Sequence, residues 1–201
     1  MNLAKLFELQ KELDARILAK HPPKEGEDRL AKKILALQVE LGELANEWRG
    51  FKYWSNDQKP RRAVYEICEY CEGRKTLGFQ QESCWYCGGT GLQVVKRPLL
   101  EEYVDCLHFT LSIGLELNFT DIDVWKVKET TTTNRFIECF GTIYNIHFQK
   151  TVNSEVPRVM YEHLFAYFIG LGEMLGFTLV QVEQAYYKKN RLNHQRQETN
   201  Y

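Results

Sequence analysis

The 201-residue chain has no apolar run approaching the ~18–20 residues needed to span a bilayer. Its first residues, Met1-Asn2-Leu3-Ala4-Lys5-Leu6-Phe7-Glu8, have none of the continuous apolar core of a secretory signal. These features predict a cytoplasmic protein with no membrane partner. Charge imbalance is also missing. A formal net charge of -1 creates no overall field that would gather nucleic acid or an anionic membrane, so partners must be read from local sites. The length suits one substantial domain carrying an insertion or a small added module.

What is present is organised around Gln38–Trp48. At the helical period Leu37, Leu41, Leu44 and Trp48 share an apolar stripe, and Glu40, Glu43 and Glu47 form an acidic stripe beside it. Like charges at that spacing cost only ~0.2–0.5 kcal/mol per pair on a solvated face, so this pattern alone demands no function. A second helix, begun by Pro98 in its first turn, repeats the spacing with Glu102 and Asp105. If the two helices pack side by side, four carboxylates converge. Such a cluster is hard to keep ionised without divalent cations, and hard oxygen ligands suit Mg²⁺ or Mn²⁺, which in turn suit phosphate-bearing substrates.

Four of the six cysteines form Cys68-x-x-Cys71 and Cys84-x-x-Cys87, followed by glycines that permit tight turns. In a reducing compartment this spacing predicts one tetrahedral Zn²⁺ held by four thiolates, closed to substrate and therefore structural. Locally the pattern resembles the cysteine-rich modules of the DnaJ chaperones, over these few residues and with a single metal site. Asn56–Arg62 leads into this unit, and Thr76–Phe79 reads as a short turn or strand within it. Cys106 and Cys139, in apolar helical contexts, read as buried and inert.

Elsewhere the periodicity predicts helices over Leu3–Ala19, from Arg29 or Leu30 to about Arg49 with a stop at Gly50, and from Pro98 on through Leu111–Phe119. Asp121-Ile122-Asp123 reads as a cap for a following segment. A further helix follows the polar Thr130–Asn134 stretch, carrying Phe136, Ile137, Phe140, Ile143, Tyr144 and Phe148. Val156–Leu175 is another, with His163 reading as a hydrogen-bonded core residue. The C-terminal helix, Thr178–Tyr201, becomes strongly polar: Lys189, Asn193 and Arg196 share a face, as do Asn190 and Asn193, and the cations suit phosphoryl oxygens. In the first helix, Gln10 and Asp14 lie four residues apart away from the apolar stripe. The aromatic cluster Phe51-Lys52-Tyr53-Trp54 is core, or a flat surface for a base.

Taken together, Glu40-x-x-Glu43, Glu102-x-x-Asp105, the Leu9-Gln10-x-x-Leu13-Asp14 start, the Phe51–Trp54 cluster and the Lys189-Asn190-x-x-Asn193-x-x-Arg196-Gln197 tail resemble the dimeric, all-α dUTP diphosphatases, within the wider group that includes the MazG-type nucleoside triphosphate pyrophosphohydrolases. The acidic pairs stand farther apart than that pattern expects. Treating residues 66–97 as an inserted zinc ribbon restores the distance, leaving 1–65 and 98–201 as the helical domain.

The resemblance implies an all-α bundle, a homodimer, and Mg²⁺-dependent hydrolysis of dUTP to dUMP and pyrophosphate. Glu40, Glu43, Glu102 and Asp105 would hold Mg²⁺, with Glu40 or Glu43 positioning the attacking water and Glu47 behind them. Lys189, Asn193 and Arg196 would hold phosphates. Gln10 and Asp14, with Trp48 or Trp54, would bind the uracil and deoxyribose, and Asn190 is a further substrate-binding residue. A side-chain amide can donate and accept on the uracil edge, whereas Asp14 only accepts and so also fits a sugar hydroxyl or a neighbouring amide.

The alternatives are a pyrophosphohydrolase for another nucleotide and a non-catalytic zinc-ribbon adaptor. An adaptor for nucleic acid would carry basic residues around the cysteines, but Arg74, Lys75 and Lys96 there are balanced by Glu66, Glu69, Glu72 and Glu82.

Overall fold

The structure, a computed structural model, describes residues 1–78, 81–125, 127 and 131–199. Among these, six helices dominate: α1 Leu3–Lys20, α2 Arg29–Trp48, α3 Pro98–Glu116, α4 Thr132–Asn153, α5 Arg158–Met174 and α6 Leu179–Glu198. Their starts are written in short polar side chains. Asn2 accepts from Lys5 N–H (3.1 Å), Asp28 from Ala31 N–H (2.9 Å) and Thr131 from Asn134 N–H (3.1 Å). Thr178 and Gln181 form a reciprocal capping box at α6. No single helix among the described residues is long and apolar enough to cross a membrane.

Several boundaries differ from the periodic reading for local reasons. α2 ends because Arg49, not Gly50, takes the left-handed conformation (φ 65°), and its guanidinium holds the turn through Asp57 O (3.0 Å) and Asp57 Oδ2 (2.9 Å). Gly50 serves a different need: a Cβ there would run into the Trp48 indole. α3 stops at Glu116 instead of reaching Phe119, since Asn118 turns left-handed (φ 59°) and Phe119 N–H bonds back to Gly114 O at 2.8 Å. Among the described residues Asp121–Asp123 caps no helix. α4 begins inside the threonine stretch because Thr131 supplies its cap; Thr130, like Phe79 and Tyr201, lies outside the described residues. His163 is half-buried and packs on the rings of Tyr167 and Trp125.

α3 is the central helix, contacting α1, α2, α5 and α6. It therefore buries residues all round, Leu99, Val104, Leu107, Leu111 and Ile113 among them. Cys106 and Cys139 are buried in the same core, and burial pushes both thiols well above their ordinary range. Two tyrosines clamp α3 to α5 reciprocally. Tyr103 of α3 lies over Gly172 and donates to Phe168 O (3.1 Å); Tyr161 of α5 lies over Gly114 and donates to Thr110 O (2.9 Å). A methyl group at either glycine would collide with the phenol. Gly114→Ala and Gly172→Ala are each expected to lower unfolding stability by about 1–3 kcal/mol, as overpacking does, in chemical denaturation.

Between α2 and α3 the chain forms a small ribbon. β1 Val64–Ile67 pairs antiparallel with β4 Leu92–Lys96, and β2 Thr76–Leu77 pairs with β3 Glu82–Ser83. Its core is the cysteine quartet, with Cys68, Cys71 and Cys84 fully buried. Cys68 Sγ and Cys84 Sγ are 3.9 Å apart and Cys71 Sγ and Cys87 Sγ 3.7 Å, while all four sulfurs lie within 4.8 Å of one another. A tetrahedral Zn²⁺ with Zn–S near 2.3 Å sets its sulfurs roughly 3.8 Å apart, so the quartet fits the ion and is far too open for disulfides at about 2.05 Å. Gly91 N–H donates to Cys87 Sγ (3.3 Å), the kind of contact that stabilises a thiolate ligand. Purified protein should contain about one zinc per chain. Chelation should expose residues 64–97 to protease while the far-UV helical signal persists; retention of zinc by Cys84→Ser would contradict the assignment.

Candidate functional site

Side-by-side packing of α2 and α3 brings carboxylates together as the i, i+3 spacing predicts. Glu40, Glu102 and Asp105 present oxygens within 4.8 Å of one another. Glu43 stands at the edge of this group, close enough to raise the pKa of both glutamates. Desolvation first, and then Asp105 and Glu43, lifts Glu40 to about 7; desolvation followed by Asp105, Glu43 and Glu40 does the same to Glu102. Asp105 is also raised by burial, against the pull of Lys189 and Arg196. Three half-buried oxygen donors that repel one another fit a hard divalent cation, Mg²⁺ or Mn²⁺.

The cationic face of α6 closes over this cleft. Lys189 Nζ donates to Asp105 Oδ2 at 2.5 Å, and the charge of Arg196 reaches the same carboxylate. Asn193 lies on α6 one turn beyond Lys189 and is partly buried. Asn190 is turned inward instead: it is buried and its Nδ2 donates to Leu9 O of α1 at 3.5 Å. Glu47 extends the acidic stripe and is paired with Arg61 at 3.3 Å.

One helical turn beyond Asp105, His108 anchors a buried polar network. Gln10 Nε2 donates to Asp14 Oδ1 (2.7 Å), which leaves Gln10 Oε1 to accept from His108 Nδ1–H (2.7 Å) and Tyr186 OH (2.9 Å). Asp14 Oδ2 in turn accepts from Ser112 Oγ (2.5 Å) and pairs with Lys33 (3.6 Å). The chain of donors fixes the His108 tautomer, with the proton on Nδ1. Burial, reinforced by Lys189, lowers its pKa to about 3, so the ring is neutral. His108 Nε2 is then a buried acceptor, with no partner among the described residues. A ligand N–H or O–H would satisfy it. Asp14, Ser112 and Lys33 also border an open groove of about 1,180 Å³ between α1, α2 and α3.

Sequence reasoning singled out Gln10 and Asp14 but missed His108, Ser112, Lys33 and Tyr186. His108 had a legible signal, since it follows Asp105 at i+3 and so continues the acidic face of α3. The two tryptophans stand apart. Trp48 packs on Phe136 (ring centroids 5.2 Å), whereas Trp54 is 65 % exposed and edges against Phe51 and Tyr53.

A helical body with a carboxylate cluster between two of its helices and a cationic helix across the opening fits an all-α nucleotide-hydrolysing enzyme. The chain belongs to the dUTPase family, whose model matches residues 2–73 and 82–201. The break in that match, 74–81, falls inside the ribbon. A search of curated proteins finds no match to the chain.

With Glu40 and Glu102 lifted to about 7, a divalent cation bound there would compete with protons for them. Binding of Mg²⁺, followed by calorimetry, should strengthen from pH 6 to pH 8 and release protons; a pH-independent affinity would remove these two carboxylates from the metal site.

Proposed function

We propose that this protein is a Mg²⁺-dependent dUTP diphosphatase acting as a cytoplasmic homodimer and releasing dUMP and pyrophosphate. The observation that carries the proposal is the convergence of Glu40, Glu102 and Asp105 with Lys189 at one cleft. Mutually repelling carboxylates and a cation at the same place suit a triphosphate that arrives with divalent metal.

On this reading Glu40, Glu43, Glu102 and Asp105 hold the Mg²⁺, which when bound neutralises the triphosphate and acidifies a water. Glu40 or Glu43 orients that water for in-line attack and accepts its proton. The β phosphorus is the expected centre. Glu47, tied to Arg61, keeps the acidic stripe in place from behind. Lys189, Asn193 and Arg196 take the phosphoryl oxygens, Lys as a point charge and Arg as a fork. Desolvated glutamates are poorer metal ligands when protonated, so a cation on Lys189 that favours their ionised forms also assists metal loading.

Gln10 and Asp14 with Trp48 or Trp54 form the nucleoside site, His108 joins them, and Asn190, held on Leu9 O, borders it. Its unpartnered Nε2 accepts from the imide N–H of uracil or from the sugar hydroxyl, a contact that a neutral ring in a dry pocket makes specific. Asp14 orients Gln10 through its amide. Residues 66–97 form an insertion in the domain made by 1–65 and 98–201. Supporting this, the β1–β4 pairing brings Val64 and Lys96 together, and Leu99 N–H bonds to Arg61 O at 3.1 Å, so the ends of the ribbon are adjacent. The reduced cysteines suit the cytoplasm.

Pyrophosphate release from each deoxynucleoside triphosphate and from UTP should show a strong preference for dUTP that chelation abolishes. Asp105→Asn should lower kcat/KM by roughly 10³-fold or more without unfolding the protein, because it removes an oxygen charge from the metal site. Turnover of a different nucleotide would keep the metal residues and discard the uracil assignments. An absence of turnover with every nucleotide would favour the adaptor.

A further inference from the structure

α4 is apolar on two opposite faces. One, with Phe136, Cys139, Ile143 and Ile146, is buried against α5 and α2. The other carries Ile137, Tyr144, Phe148 and Val152, which are 63, 56, 47 and 59 % exposed. Together with Gly141 these residues occupy one stripe roughly 80° wide, directly opposite the buried one. No residue from Cys139 to Gln149 carries a formal charge, in a chain where 26 % of residues are Asp, Glu, Lys or Arg. A helix apolar on both sides is ordinarily covered on both, and depletion of charge with aromatic enrichment marks the centre of a protein interface.

We propose that this stripe is the contact between two copies of the chain, with the α4 helices antiparallel about a twofold axis passing between Tyr144 and Asn145. The proposal rests on the homodimer reading above and names its surface. The pattern itself selects a second copy as the occupant. Positions 137, 141, 144, 148 and 152 are spaced four, three, four and four, so the stripe nearly superposes on its own reverse. In the antiparallel pair Ile137 faces the partner's Val152, and Gly141 faces the partner's Phe148. Space around Gly141 is open, with nothing within 4 Å of where its Cβ would stand, so an incoming ring is accommodated. Tyr144 and Phe148 are already stacked, with centroids 6.2 Å apart, presenting one aromatic ridge to the opposing cleft. Without charge on the stripe, a twofold axis brings no like charges together, as an isologous contact requires.

The test is the solution mass of the full-length, zinc-loaded protein by analytical ultracentrifugation. Wild type should sediment at twice the 23.7 kDa of one chain. Phe148→Glu and Tyr144→Glu, both at exposed positions, should each weaken the dimer by about 100-fold or more while leaving the circular dichroism spectrum unchanged. Tyr144→Cys, beside the axis, should form an intermolecular disulfide on mild oxidation, and Val39→Cys, on the outer face of α2, should not. A dimer untouched by both glutamates, or a Tyr144→Cys protein that fails to cross-link, would overturn this surface and leave the homodimer standing. A monomeric wild type at tens of micromolar would overturn both.

Discussion

Three carboxylates with oxygens held within 4.8 Å of one another, in a cleft half removed from water, are the constraint to which the rest of the molecule answers. Left alone they would take up protons or push α2 and α3 apart. The apolar stripes of those two helices, the central burial of α3 and the cation brought across by α6 all oppose that repulsion. The cluster is thus an outcome of core packing as much as of its own residues, since Leu37, Leu41 and Leu44 on one helix and Val104 and Leu107 on the other fix the distance between the acids.

The polar network beside the cluster follows the opposite logic. Gln10, His108 and Tyr186 are buried, and each hydrogen bond among them dictates the orientation of the next. Such a network has a defined direction, from the Asp14 carboxylate to one unpaired imidazole nitrogen. Preorganisation of this kind discriminates ligands by leaving a buried group unsatisfied when the wrong one binds.

How far this was legible in the sequence depended on whether the signal was local. The six helices and the cysteine quartet announce themselves through period, caps and spacing, and Glu40, Glu102 and Asp105 through a shared i, i+3 rhythm. Helix ends were less legible where a side chain outside the helix decides them, as Asp57 does for Arg49. Ser112, Lys33 and Tyr186 could not be found that way. Their roles exist only because α1, α2, α3 and α6 meet, which no single helix records. Asn190 is a related case: helical periodicity groups it with Asn193, and the packing of α6 on α1 turns it toward Leu9 O.

The two tyrosine-over-glycine contacts have a consequence for motion. Tyr103 and Gly114 lie eleven residues apart on α3, about 16 Å along its axis, and each is keyed into α5 by a phenol. A helix keyed at two such points can neither slide nor roll against its neighbour without lifting a phenol from its notch. Relative motion of these two helices would break both phenol hydrogen bonds at once.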